Sequence, residues 1–456
     1  MSLKYLQNIN SYFQLGSGSR SQKAVKNIVL LLVFNFINFV CTLLLVPLTL
    51  KYLGPVQYGI WLTISSILTW FSFLDFGIGN GLRNKLSEAF ANKNMEKAKI
   101  FVSTAYVIFG GGITILIILF LLLHNYINWP GIFNAPTALK DQLNLLLVIV
   151  FFLFSLQLFL KLIYSINQAI QRPALNGLIS SLSNVFSVLF LLILYKYSTG
   201  DLVALGTGLS LIPVIVLILI SAALFAKFYK NILPRFKYVK MNQSEELFGL
   251  GLRFFVIQIA GLIVFATDNL IITQLFGPAD VTVYNIAYKL FYFVPIIFNV
   301  IITPFWSAYT EAYVKGEFEW IKNSVNKIMK LWIVLSLGVI VMVVFSSTIY
   351  HIWVGSEIYI PLELSIMMGL FAILSNWNNI FAYFINGIGK IQIQFYNSIF
   401  VAIINIPLSI YFARGLNWGI TGVMAATCVC VAIGSIWAPI QYIKIINKKA
   451  YGIWFK

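Results

Sequence analysis

Residues 52–99 read YLGPVQYGIWLTISSILTWFSFLDFGIGNGLRNKLSEAFANKNMEKAK: a turn signal, a mostly apolar run, a glycine-rich step and a charged tract. Residues 275–322 are laid out in the same way, with LFGPADVTVYN, an apolar run and then SAYTEAYVKGEFEWIK. The pairs Gly54-Pro55 and Gly277-Pro278 are 223 residues apart, and that spacing superimposes Glu88-Ala89 on Glu311-Ala312, Glu96 on Glu319 and Lys99 on Lys322. Proline lacks the amide hydrogen a helix interior needs, and glycine readily leaves helical geometry, so each pair should separate two apolar helices. Two such stretches at matching points of the chain point to an internal duplication.

The surrounding sequence explains what those helices face. The chain has 456 residues, 60% of them hydrophobic and 10% charged, against about 25% charged in a soluble domain. Its apolar runs are long enough to cross a bilayer. The reading is an all-α polytopic membrane protein with about 12 transmembrane helices, roughly at 25–46, 58–82, 100–123, 143–166, 177–196, 202–225, 247–275, 281–306, 329–350, 362–386, 392–412 and 420–443. These divide into a lead segment (1–24), an N-lobe (25–226), a basic linker (227–246), a C-lobe (247–443) and a tail (444–456). Six helices is an even number, so both lobes share one orientation and form a parallel pseudo-two-fold repeat, as in carriers that bind between two rocking halves.

A net charge of +17 could suggest a nucleic-acid partner, but its distribution along the chain excludes that reading. Of 31 lysines and arginines, 24 fall in alternate connections and the termini, four in the other connections, and three inside spans. That is the positive-inside pattern, and it places both termini in the cytoplasm. The first 24 residues show neither the apolar core nor the cleavage site of a signal peptide. Cys41, Cys428 and Cys430 all lie in apolar runs, and no disulfide or metal-ligand spacing is present. His124 and His351 lie in short external connections, with no constellation that would make an enzyme.

Function must then come from polar groups within the spans. An ionised side chain near the bilayer centre costs at least about 2.5 to 3.5 kcal/mol unless it meets water or a partner. Lys161 and Arg253 lie roughly 8 or 9 Å inside the cytoplasmic ends of spans 4 and 7, and Lys289 roughly 12 Å below the external end of span 8, at 1.5 Å per residue. With Arg83 at the cytoplasmic rim, they suit an anionic cargo. Asn38, Gln157, Asn285, Tyr292 and Asn379 recur at helical spacing and suit a hydroxyl-rich one, with interhelical hydrogen bonding as the alternative for each amide. Asp75 and Asp268 are intramembrane acids, either ion-coupling sites or counter-ions to a nearby cation.

The run LLVPLTLKYLGPVQYGIW followed by WFSFLDFGIGNGLRNKLSEAFANKN resembles the Wzx-type polysaccharide flippases of the multidrug, oligosaccharidyl-lipid and polysaccharide exporter superfamily. The resemblance is most specific over 23–99, with LDFGIGNGLRN (74–84) its strongest signature. It implies a MATE-like fold in the bacterial inner membrane and a flippase that carries a polyprenyl-diphosphate-linked oligosaccharide, of the O-antigen or capsule type, to the outer leaflet. It also implies alternating access through a cationic cavity, no cofactor beyond coupling to an H+ or Na+ gradient, and polysaccharide polymerase or chain-length proteins as partners. The competing readings are a multidrug/cation antiporter of the same superfamily, a membrane enzyme of polysaccharide assembly, and a non-transport component of an assembly complex.

Overall fold

The computed structural model describes residues 20–71, 78–170, 172–243, 267–303 and 305–455, and contains no strand among them. The principal helices are α1 (Arg20–Phe71), α2 (Ile78–Ala91), α3 (Met95–Leu123), α4 (Lys140–Leu160), α5 (Leu162–Ala169), α6 (Ala174–Tyr197) and α7 (Leu202–Lys227). After the basic linker come α8 (Asp268–Phe276), α9 (Pro278–Ile302), α10 (Phe305–Lys315), α11 (Phe318–Val344), α12 (Ser346–Val354), α13 (Leu362–Gly387), α14 (Gln392–Ile410) and α15 (Gly419–Ile446).

The two Gly-Pro pairs act as their chemistry requires. Gly54 interrupts α1 at φ 73° and ψ 170°, and Gly277 separates α8 from α9 at φ 102° and ψ 169°. That region of backbone space is essentially closed to residues with a Cβ. Each proline then opens the helix that follows, where its missing amide hydrogen costs nothing. Other helix starts are capped by side chains: Asn94 accepts from the Lys97 amide, and Asp201 from that of Ala204.

Ten helices among the described residues are long and apolar enough to cross a membrane. One of these segments, Val29–Phe71, holds most of the first expected span and the first part of the second, 58–82, of which 72–77 lie outside the described residues, as does most of the expected span 247–275. The fourth expected span lies within one helical stretch, Thr137–Ala169, with a tightened turn at Lys161 between α4 and α5, where the Tyr164 amide donates to the Lys161 carbonyl at 2.8 Å. One expected boundary differs. Span 9 begins near Phe318 rather than 329, because α11 extends past its apolar run into an amphipathic stretch where Lys322 pairs with Glu319 at 2.8 Å.

Within residues 20–243, α1 packs on α6, α4 on α7, and α2 on α3 and α5. Within 267–455, α13 packs on α9, α11 and α15, and α14 on α15. The halves join through α1 against α8 and α9. One apolar core runs through that junction, including Val46, Ile60, Ile272, Val281 and Phe291, and a separate core fills the basic end of each half. Large apolar side chains that remain exposed, such as Ile118 and Leu122 on α3 and Val334, Leu337 and Val341 on α11, mark lipid-facing surfaces.

Candidate functional site

The hydrogen bonds between the halves cluster at the end opposite the basic connections. Thr63 and Thr273 share one between hydroxyls at 2.7 Å, and the Thr282 hydroxyl donates to the Pro55 carbonyl at 2.7 Å. Asn134 Nδ2 donates to the Thr273 carbonyl at 3.3 Å, and Trp353 Nε1 to that of Leu43 at 2.8 Å. The Phe39 and Phe293 rings stack with centroids 3.6 Å apart. Gly59 is pressed so closely on Pro278 that a Cβ there would lie 1.6 Å from the Pro278 carbonyl oxygen. Residue 59 faces the carbonyl of 278 and residue 282 faces that of 55, so the spacing of 223 turns each contact into the other.

Lys289 belongs to this junction. Its Nζ donates to the Tyr58 hydroxyl at 3.0 Å and lies 5.5 Å from the centre of that ring. The two residues sit on opposite halves, α9 and α1, so the lysine reaches across to the other half, and among the described residues it pairs with no acid. Tyr292, one turn farther along α9, stacks on Tyr288 with centroids 4.9 Å apart and remains partly exposed. Lys161 is half-buried, and its side chain makes no hydrogen bond or ion pair among the described residues. Gln157 precedes it by one turn, also half-buried, and Arg83 is exposed on α2.

Three predicted amides are engaged between helices. Asn38 accepts from Asn184 Nδ2 at 2.9 Å, Asn285 donates to Asn269 Oδ1 at 2.7 Å, and Asn379 donates to Asn299 Oδ1 at 3.2 Å. Each thus makes an interhelical hydrogen bond of the kind that ties helices together in lipid. Arg253 and Asp75 lie outside the described residues.

Asp268 is buried at the start of α8. Its Oδ2 accepts from the Tyr284 hydroxyl at 2.5 Å and from the Thr427 hydroxyl at 3.5 Å, while among the described residues Oδ1 has no hydrogen-bond partner. Its partners among the described residues are thus hydroxyls of α9 and α15. Asn405 Nδ2 reaches Thr427 at 3.4 Å, and the Asn405 Oδ1 and Ser409 Oγ are likewise buried without partners. Sequence reasoning had missed Tyr58, Tyr284, Asn405 and Thr427, each a lone polar residue in an apolar run whose partner lies on another helix.

Two cavities in the first half, of about 250 and 640 Å³, are lined mostly by apolar side chains and contain none of these candidate residues. The smaller lies among α1, α3 and α4 and the larger among α3, α4 and residues 234–236 of the linker, and neither is lined by Lys289 or Tyr58.

Comparison with known proteins follows the same architecture. A family model described as "Polysaccharide biosynthesis protein" matches residues 24–310, and one described as MatE matches 254–411. A protein of Yersinia pseudotuberculosis named for O-antigen export is 24% identical over 419 residues, covering 88% of this chain and 92% of its own. An inward-facing multidrug resistance MATE family transporter of the MOP superfamily superposes with a TM-score of 0.74 at 15% identity, over 94% of this chain and 100% of that one. Lipid II flippase MurJ in an inward closed conformation superposes at 0.72 with 17% identity, over 92% and 90% respectively.

Proposed function

This chain belongs to the polysaccharide biosynthesis protein family, and on that premise we propose that it is a flippase for a lipid-linked oligosaccharide rather than an enzyme. The exporter-superfamily resemblance of residues 23–99 agrees with the matches across the chain and with the MATE-like fold. The relative named for O-antigen export supports a cargo of that class.

The carrying observation is Lys289, a cation at membrane depth held by Tyr58 across the junction of the halves. A carrier that alternates between two openings needs a group of this kind, one that can exchange a partner on the opposite half for an anionic cargo. The positive-inside pattern orients the basic end toward the cytoplasm and the sealed end outward. The diphosphate would enter between the lobes toward Lys289, with Arg83, Arg253 and Lys161 along its approach and the lipid tail left in the bilayer. The two exchanged contacts at Gly59 and Thr282 are what a parallel pseudo-two-fold would produce, and they form the gate that must part for release. An inside-negative potential would assist: two charges crossing 100 mV gain roughly 4 to 5 kcal/mol.

Asp268 is the ion-coupling group of this scheme. A buried carboxylate with one oxygen unpartnered among the described residues, linked through Thr427 to Asn405, suits a proton or Na+. The chemistry of the donors fits either, and Asp268→Asn separates a coupled carrier from one driven by the potential alone.

The test of the whole reading is complementation of a strain lacking its own polysaccharide flippase, with Lys289→Ala, Lys161→Ala and Arg253→Ala at matched membrane abundance. The reading predicts surface polysaccharide with wild type and lipid-linked units retained inside with Lys289→Ala. Three variants indistinguishable from wild type would overturn the cationic path.

A further inference from the structure

One cluster of polar and aromatic side chains near the basic end is left without a role by the scheme above. Asn299 lies in the last turn of α9 and Thr303 caps that helix; Trp306 is the second residue of α10; Asn379 and Tyr383 lie one turn apart on the facing α13. Asn379 Nδ2 donates to Asn299 Oδ1 at 3.2 Å, and the Tyr383 hydroxyl lies 3.5 Å from the same oxygen and 3.3 Å from the Thr303 hydroxyl. The Trp306 and Tyr383 rings meet edge to face, 84° apart with centroids at 5.6 Å. Trp306 is nevertheless 37% exposed. Among the described residues Asn379 makes only this one side-chain hydrogen bond, which leaves its carbonyl oxygen and second amide hydrogen for a ligand.

We propose that this cluster is a hexose-binding subsite, with Trp306 as the stacking platform and Asn379 and Tyr383 as the groups that pair with ring hydroxyls. The proposal rests on the flippase reading and specifies where the sugar part of the cargo is recognised. None of the five side chains is charged, so the site has nothing to neutralise a phosphate. Asn299 is ten residues along α9 from Lys289, about 15 Å at 1.5 Å per residue, so phosphate and sugar would have separate places. A purely apolar ligand would leave the amides unpaired, which is costly away from water. A lipid-facing interfacial tryptophan would share its surface with apolar side chains, not with two amides and two hydroxyls. Aromatic face together with vicinal donor and acceptor is the combination that a pyranose ring satisfies, with C–H groups on one side and hydroxyls at the rim.

The duplication adds a second argument. The spacing of 223 that relates Gly54 to Gly277 also relates Arg83 to Trp306, and both are exposed. At equivalent places the halves present a cation and an aromatic face. A sugar phosphate needs both.

The test uses purified protein in nanodiscs and two probes: bare polyprenyl diphosphate, and the same lipid bearing the oligosaccharide extracted from the cells in which this chain is native. Wild type is expected to bind the sugar-bearing lipid more tightly. Trp306→Ala should weaken that binding about tenfold, the order expected for one aromatic contact, and leave the bare lipid unchanged. Trp306→Phe, which keeps a ring face, should stay within about threefold of wild type. Equal loss on both probes with Trp306→Ala would reduce Trp306 to a packing role and overturn the subsite, as would no change on either. If wild type gains nothing from the sugar while binding the bare lipid, the subsite falls and the flippase reading stands. Wild type that binds neither probe overturns both.

Discussion

Replacing Gly59 by alanine should force open the junction of the halves at the end opposite the basic connections. The added Cβ would lie 1.6 Å from the Pro278 carbonyl oxygen and 2.5 Å from its carbon, where real contacts do not fall under 3.0 Å. The obstacle is backbone at the first turn of a helix, so the clash cannot be relieved by a rotamer. The start of α9 must retreat by about 1.4 Å, which breaks the Thr282–Pro55 hydrogen bond and loosens the Thr63–Thr273 one, each now 2.7 Å. Overpacking costs about 1 to 3 kcal/mol, and two hydrogen bonds about 0.5 to 1.5 kcal/mol each. The sum, about 2 to 6 kcal/mol, shifts the balance between closed and open ends by at least about thirtyfold. Spin labels at Tyr126 and Tyr359, exposed in connections at that end, would report the change by pulsed electron–electron distance measurement. A longer distance population should dominate in Gly59→Ala. Thr282→Val keeps the shape and removes only its hydrogen bond, so it should produce a smaller shift, about fivefold for about 1 kcal/mol. An unchanged distance distribution in folded Gly59→Ala protein would refute the gate.

Further outcomes follow from single side chains. Asp268→Asn should abolish dependence of flipping on a proton or Na+ gradient while leaving any response to the membrane potential, measured in proteoliposomes with each gradient imposed alone; unaltered gradient dependence would remove Asp268 from the coupling role. Gly277→Ala imposes a φ of 102° on a residue with a Cβ and should lower thermal stability by about 1 to 3 kcal/mol, with Gly54→Ala close behind; calorimetry or a thermal-shift assay in detergent reads both. Tyr229 donates to the buried Asn167 Oδ1 at 2.6 Å; burial raises its hydroxyl's pKa, with Arg172 opposing. Tyr229→Phe leaves that oxygen unpaired and should cost about 1 to 3 kcal/mol of stability, which urea unfolding of the N-terminal half would detect.

Much of the architecture was legible in the residues because bilayer length and backbone hydrogen bonding impose strong, local rules. Apolar runs long enough to span, Gly-Pro breaks at 54 and 277, and the alternation of basic connections each follow from neighbouring residues alone. The candidate site was less legible. Lys289 stood out because a cation in an apolar run has few explanations, yet its partner Tyr58 is 231 residues away and carries no local mark. Asn38, Asn285 and Asn379 have the same local appearance whether they line a passage or tie helices together, and only the positions of Asn184, Asn269 and Asn299 revealed the ties.

By itself the sequence determined that this chain is a helical membrane protein, which of its connections are basic and where its glycines interrupt the helices, since these depend on composition and short-range backbone sterics. The tertiary structure alone decided that Gly59 meets Pro278, that Asp268 accepts from Tyr284 and Thr427, and that Trp306 meets Tyr383, which shares Asn299 with Asn379. Those are contacts between distant helices, set by the rotation of each helix about its axis, and a periodicity of 3.6 residues states which side chains share a face but not what that face will meet.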